Sequence, residues 1–226
     1  MSVRRWILPL VLVSVLVFVL SLRQLSDPDL GFHLKYGEWI VLNHTVPVHD
    51  LSTYTVQDHV YLDMHWLFQV VLYGTFRMGG YSAISFLVCG LSMLLYLLLW
   101  LRLKSLGIPR AGTGIALVCA FLIIDPRIAP RPEMLTFLFM VLIPMILDEY
   151  VKRRKNLLYI LPLIMVLWCN MHALFILGLI IIWVYFISDL IRSRKADRKL
   201  LLWTVVSCFA CLINPYGIKG FVLPIE

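Results

Sequence analysis

His65 to Leu101, HWLFQVVLYGTFRMGGYSAISFLVCGLSMLLYLLLWL, is the stretch whose reading decides the fold. Its second part, 81–101, is apolar and long enough to cross a bilayer. Its first part, 65–78, reaches only about 20 Å as a helix, less than the ~30 Å hydrocarbon core, and it ends in Arg77, Met78 and two glycines. It reads either as a span or as a helix lying at the interface, and everything after it changes sides with that choice.

Six further apolar runs, 6–22, 112–124, 134–147, 157–169, 173–188 and 200–213, accompany 81–101. With 61% hydrophobic and 15% charged residues, the chain reads as a polytopic membrane protein. The first run follows Arg4 and Arg5 and lacks a small-x-small cleavage site, so it is expected to stay as a signal-anchor. If 65–78 stays outside, Arg4, Arg5, Arg102, Lys104, Arg110, 152–155, Arg192, Arg194, Lys195, Arg198 and Lys199 face the cytoplasm. These are 14 of the 20 Lys and Arg. If it crosses, the tally inverts against the positive-inside rule. The expectation is therefore about seven transmembrane helices, N-terminus inside, with 65–78 interfacial or re-entrant. The chain is expected to be one module: first span, extracytoplasmic loop 23–80 with interfacial helices, six spans over 81–213, and an extracytoplasmic tail 214–226.

In this arrangement the inner face carries +10 and the outer face −3, and all six histidines fall outside. The basic total thus reflects orientation and anionic lipid, not nucleic-acid binding. The five cysteines lie in apolar segments and read as small buried hydrophobes; Cys208 and Cys211 form a CxxC with no second ligand pair nearby. Gly112-Thr113-Gly114 lacks the Lys-Ser/Thr of a phosphate loop. No Asp, Glu, Lys, Arg or His interrupts the seven runs, which argues against a pump or channel.

The outer loop opens with SDPDLGFHLKYGEWI, 26–40. Ser-Asp-Pro-Asp predicts a helix start, with Asp27 as N-cap and Pro28 first, running to about Leu42. Asp29 and His33, four apart, share a face, and Phe32, Tyr36 and Trp39 form an aromatic stripe suited to the interface. A carboxylate at a helix N-terminus stays ionised and suits a general base or a divalent-metal ligand; a capping aspartate is the plainer reading. The rest of the loop, with Pro47, His49-Asp50, Ser52, Thr53, Asp58-His59, Asp63 and His65-Trp66, lacks zinc-type histidine spacing, and its histidines read as surface residues.

Three outer motifs follow. DPRIAPRPE, 125–133, sets Arg127 and Arg131 beside prolines, where they suit a phosphate or snorkel at the membrane edge. WCNMH, 168–172, puts Asn170 and His172 at a turn between spans, as substrate contacts or as a helix cap. NPYG, 214–217, has the form of a type I turn with Tyr216 at the interface.

DPDLGFHLKYGEWI, then Pro47, Asp50, Ser52 and Thr53, then HWL (65–67), RPE, N-M-H and NPYG together resemble the GT-C superfamily of membrane glycosyltransferases, in its prokaryotic polyprenyl-phosphate-sugar-dependent branch. The chain departs from that pattern at Leu30-Gly31, where members carry aromatics, and at His65, where an acid is common. The resemblance implies Asp27 or Asp29 as the catalytic carboxylate and His33 orienting it. It also implies Arg127 and Arg131 on the donor phosphate, and His172, Asn170 and His65 in contact with substrate. The donor would be a polyprenyl-phosphate sugar, with membrane lipid around it; a divalent metal, Mg or Mn, on Asp27 and Asp29 is compatible with it. The alternatives are a non-catalytic GT-C-like subunit that binds lipid or a partner membrane chain, suggested by the end soon after the seventh run, and a lipid carrier or flippase. The expected location is the plasma membrane, with the active face extracytoplasmic.

Overall fold

A computed structural model describes residues 27–52, 60–153 and 155–225, together with Val11, Val15 and Phe18. The rest of the first apolar run, and Thr53, Asp58 and His59, lie outside the described residues. Among those described, the one β pairing is an isolated bridge between His49 and Val60, and the regular structure is otherwise helical. The helices are α1 (Leu30–Asn43), α2 (Trp66–Ser105), α3 (Arg110–Ile124), α4 (Glu133–Arg153), α5 (Ile160–Met171), α6 (Phe175–Ser193), α7 (Arg198–Ala210) and α8 (Ile218–Val222). A 3-10 turn, Asp125–Arg127, follows α3.

α2 is two helices joined at a break. Gly80 has φ 63° and ψ −151°, a conformation that side chains strongly disfavour, and with Gly79 it separates an arm 66–78 from a long helix 81–105. The boundary the sequence marks with two glycines is therefore real. The arm and the first turns of 81–105 share one apolar cluster, Leu30, Phe68, Leu72, Ile84 and Val88, which also receives Ile128, Leu135 and Met171. Both ends of the arm thus stay near the start of α4 and the end of α5.

Three helices, α2, α4 and α6, are long and apolar enough to cross a membrane, so the chain is an all-helical protein of multi-pass membrane character. α3, α5 and α7 cover the other described runs with 15, 12 and 13 residues, about 18 to 23 Å of helix each. α5 stops at Met171 because His172 turns extended, at φ −161° and ψ 139°. α7 begins on a formed cap, Asp197 accepting from the backbone N–H of Lys199 and Leu200 at 3.0 and 3.1 Å.

The main core lies between α4, α5, α6 and α7, around Ile143, Leu147, Leu161, Met165, Trp168, Phe175 and Ile182. A bilayer gives little hydrophobic drive between helices, so close packing must hold them. Gly178 supplies it, since a Cβ there would stand 2.6 Å from the Trp168 ring. Gly37 does the same between α1 and the arm, where a Cβ would fall 2.2 Å from the carbonyl oxygen of Gln69. The far end of the bundle is polar: Arg102 and Lys152 pair with Asp148, which also accepts from Tyr185 at 3.0 Å.

Candidate active site

The site begins at the turn before α1. Asp27 Oδ1 accepts from the backbone N–H of Asp29 at 2.8 Å, and α1 starts at Leu30 with Asp29 as its N-cap. The expected cap, Asp27, is thus displaced two residues upstream, because its carboxylate closes the turn instead. One helical turn on, the His33 N–H donates to Asp29 O at 3.0 Å, which stacks the imidazole near the carboxylates. The aromatic stripe also differs from expectation. Tyr36 is buried, its ring tilted against that of Phe32 with centroids 4.4 Å apart, and its hydroxyl donates to Asp50 Oδ1 at 2.9 Å, so it anchors the loop rather than facing the interface.

Opposite this turn lies the proline-flanked segment before α4. Arg131 Nε donates to Asp27 Oδ2 at 2.6 Å and its Nη2 meets Asp29 Oδ2 at 3.0 Å. One guanidinium therefore bridges both acids. The hydrogen bond to Asp27, followed by the charges of Asp27, Asp29 and Glu133, raises the arginine's pKa further. The two acids are unequal, with 2% of the Asp27 side chain exposed against 54% of Asp29. Asp27 is a buried support for Arg131, while Asp29 faces an opening.

That opening is a cavity of about 250 Å3. Asp29, His33, His65, Arg131, Glu133 and His172 line it, with Phe32, Tyr61 and Pro132 completing the wall. Three histidines converge here from three elements: the His33 and His65 rings are 6.0 Å apart and those of His65 and His172 are 5.4 Å apart. The expectation of surface histidines in the first loop holds for exposed His44 and His49, while His33, His65 and His172, each named as a candidate site residue, all line this cavity. Burial, reinforced by the neighbouring imidazole in each case, lowers all three to about 4 and leaves them neutral at pH 7.

Two of the rings, those of His172 and His65, are backed by polar neighbours. Trp168 Nε1–H donates to Thr136 Oγ1 at 3.0 Å, and Thr136 Oγ1 lies 2.9 Å from His172 Nδ1. His65 follows Asp63, whose Oδ1 accepts the His65 backbone N–H at 3.0 Å and lies 3.8 Å from the His65 Nδ1. Asp63 is fully buried, also accepts from Gln69 Nε2 at 3.2 Å, and is pushed up to about 6 by burial. Its backbone N–H donates to the Tyr216 hydroxyl at 2.8 Å, and that hydroxyl donates to Pro47 O at 3.3 Å. NPYG is the expected turn, closed by Gly217 N–H to Asn214 O at 3.2 Å, but its tyrosine braces the first loop.

Two expected site residues stand apart. Arg127 is exposed in the 3-10 turn and does not line the cavity. Asn170 uses its amide inside the fold, donating to Val166 O and Ile213 O at 2.8 and 2.7 Å and accepting from Trp66 Nε1 at 2.9 Å. Phe32, read as part of the aromatic stripe, lines the cavity, and Glu133, Tyr61 and Thr136 are site residues that sequence reasoning passed over. Only Glu133 carried a signal, as the last residue of the RPE motif.

Asp27 and Asp29 do not fit a divalent metal between them in this arrangement, because Arg131 occupies the bridging position. A magnesium-type ion needs near-octahedral oxygen ligands. Among the described residues no group of three or more His, Cys, Asp or Glu could hold a metal ion. No family model, no curated protein and no solved structure matches this chain.

Proposed function

We propose that the chain is a membrane glycosyltransferase that moves a sugar from a polyprenyl-phosphate donor to an acceptor hydroxyl on the extracytoplasmic side. The observation that carries this reading is the single cavity in which an exposed carboxylate, Asp29, meets a guanidinium and three neutral imidazoles. Its chemistry matches the residues that carry the GT-C resemblance. Orientation is supported by charge: Arg102, Lys152 and Arg192 lie toward the other ends of the helices whose near ends form the cavity. On this topology there are seven spans with the N-terminus inside, and the arm 66–78 lies at the outer interface. A cysteine at Thr45 then labels from outside and one at Leu106 does not.

The step is a single displacement. Asp29 takes the proton of the acceptor hydroxyl as the oxygen bonds to the anomeric carbon, and the bond from that carbon to the phosphate oxygen breaks. Polyprenyl phosphate leaves, and Arg131 meets the charge that grows on its oxygen. Asp27 is a positioning residue that holds Arg131, and His33 orients Asp29.

The test is release of polyprenyl phosphate by the purified protein in liposomes holding polyprenyl-phosphate sugars and candidate acceptors. Asp29→Asn is expected to lose roughly a hundredfold or more in rate while remaining folded. Full activity in that variant overturns the assignment. Release of nothing by the wild type, with only bulk phospholipid retained in native mass spectra and unchanged by Arg131→Ala, supports a non-catalytic lipid-binding subunit instead.

A further inference from the structure

The cavity holds more acid than base. Asp29 and Glu133 bring two carboxylates to its wall, with buried Asp27 behind, whereas Arg131 brings one guanidinium already shared between Asp27 and Asp29 at 2.6 and 3.0 Å. A phosphate entering this wall meets repulsion, Arg131, engaged by its two aspartates, offsets only part of its charge, and Arg127, the other candidate, lies outside. The groups left to complete its seat are the three imidazoles. His33 is 6% exposed, and its Nδ1 is buried without a hydrogen-bond partner. A buried orphan nitrogen is uncommon in a folded protein, and a ligand oxygen beside it would satisfy it.

We infer that His33, His65 and His172 form a phosphodiester seat that fills by taking up a proton, one imidazole becoming imidazolium as the ligand docks. This rests on the donor class of the glycosyl-transfer reading and assigns where that phosphate binds. The proton comes from solvent and goes to a ring nitrogen; no other bond changes. The ligand-free rings are neutral because burial and mutual repulsion hold them so. An opposite charge at contact raises a basic group's pKa by about 1 to 3, and Asp27, Asp29 and Glu133 already pull His33 that way. Asp63 stands 3.8 Å from His65 Nδ1. Arg131 opposes it, but its charge is offset by its two aspartates. Tyr61 stays protonated, its pKa raised by burial. Thr136 fixes His172 through Nδ1 and leaves Nε2 for the ligand.

The probe is farnesyl methyl phosphate, a diester with one charge across pH 6 to 8, so any proton taken up belongs to the protein. Titration calorimetry of the full chain in detergent, in two buffers of different ionisation heat, counts that proton. The expected result is uptake of up to about half a proton per ligand at pH 7, rising toward one at pH 6, with Kd rising up to roughly tenfold per pH unit near pH 6. His172→Gln and His33→Gln are each expected to cut the uptake by half or more and to flatten the pH dependence, an effect that loss of packing alone does not produce. His65→Gln, at the more exposed ring, serves if either misfolds. Dimethyl phosphate run in parallel separates the sources: weaker binding assigns the seat to a lipid headgroup, equal binding to any phosphodiester. Binding with no proton uptake overturns the inference and leaves glycosyl transfer standing, and no binding of either diester overturns both.

Discussion

Arg131 Nε lies 2.6 Å from Asp27 Oδ2, joining residues 104 apart in the chain and closing the start of α1 onto the start of α4. The carboxylate is buried, so it depends on this one guanidinium and the Asp29 N–H for its charge. Removing one partner of such a pair costs more than removing both. Arg131→Gln is expected to destabilise the protein by about 2 kcal/mol, less than a fully buried pair would lose because the arginine is part-exposed, and Asp27→Asn added to it should restore about half. Tryptophan fluorescence during thermal unfolding in detergent reads both; strict additivity of the two changes would show that the contact is not coupled.

Asp63 sets a pH dependence of opposite sign to that of a salt-bridged acid. Its folded pKa, about 6, is above the unfolded value of 3.8, so the folded state binds the extra proton. Its contribution is full below pH 3.8 and is lost as pH rises through 6. Asp63 Oδ2 and Gln69 Oε1 are both buried acceptors without partners. Asp63→Asn replaces one with a donor and is expected to raise stability at pH 8 by about 2 kcal/mol while leaving pH 4 nearly unchanged. Unfolding midpoints at the two pH values decide it.

Thr136 is a hinge of two hydrogen bonds. Thr136→Val strands Trp168 Nε1 and His172 Nδ1 and should cost about 2 kcal/mol. It should also weaken phosphodiester binding severalfold. Thr136→Ser, which keeps the hydroxyl, should recover the binding even where it does not recover all the stability. Rescue of neither by serine would place the effect in packing.

Two glycines on α1 should respond in opposite directions. Gly37→Ala drives a Cβ into the Gln69 carbonyl and should cost about 2 kcal/mol as α1 moves off the arm. Gly31→Ala meets nothing within 4 Å and should gain about 0.5 kcal/mol from helix propensity alone. Equal responses would mean that α1 is not docked as described.

Hydropathy and punctuation made much of the fold readable. The runs from 81 onward all fall on helices, and Gly79-Gly80 marks the break in α2, because both signals are local. The outer motifs were legible as motifs, yet not their pairing. Arg127 and Arg131 sit in the same proline-rich frame, and only the approach of α1 to the second separates them. Thr136 and Tyr61 had no signal, since a hydroxyl on an apolar helix or a loop tyrosine reveals nothing until its partner is placed. The histidines were named one by one but their meeting was not read, since spacing along the chain says little when His33, His65 and His172 arrive from three elements.

Tyr216 bears on how the protein is made. Its hydroxyl links Asp63 and Pro47, residues synthesised long before it, at chain separations of 153 and 169. During translation the first loop must wait, with the Asp63 amide unanswered, until α7 and the turn after it have left the ribosome. The site is therefore completed only once residue 216 has been made, and a nascent chain arrested before it should expose residues 60–63 to protease more than a chain extended past Tyr216 does.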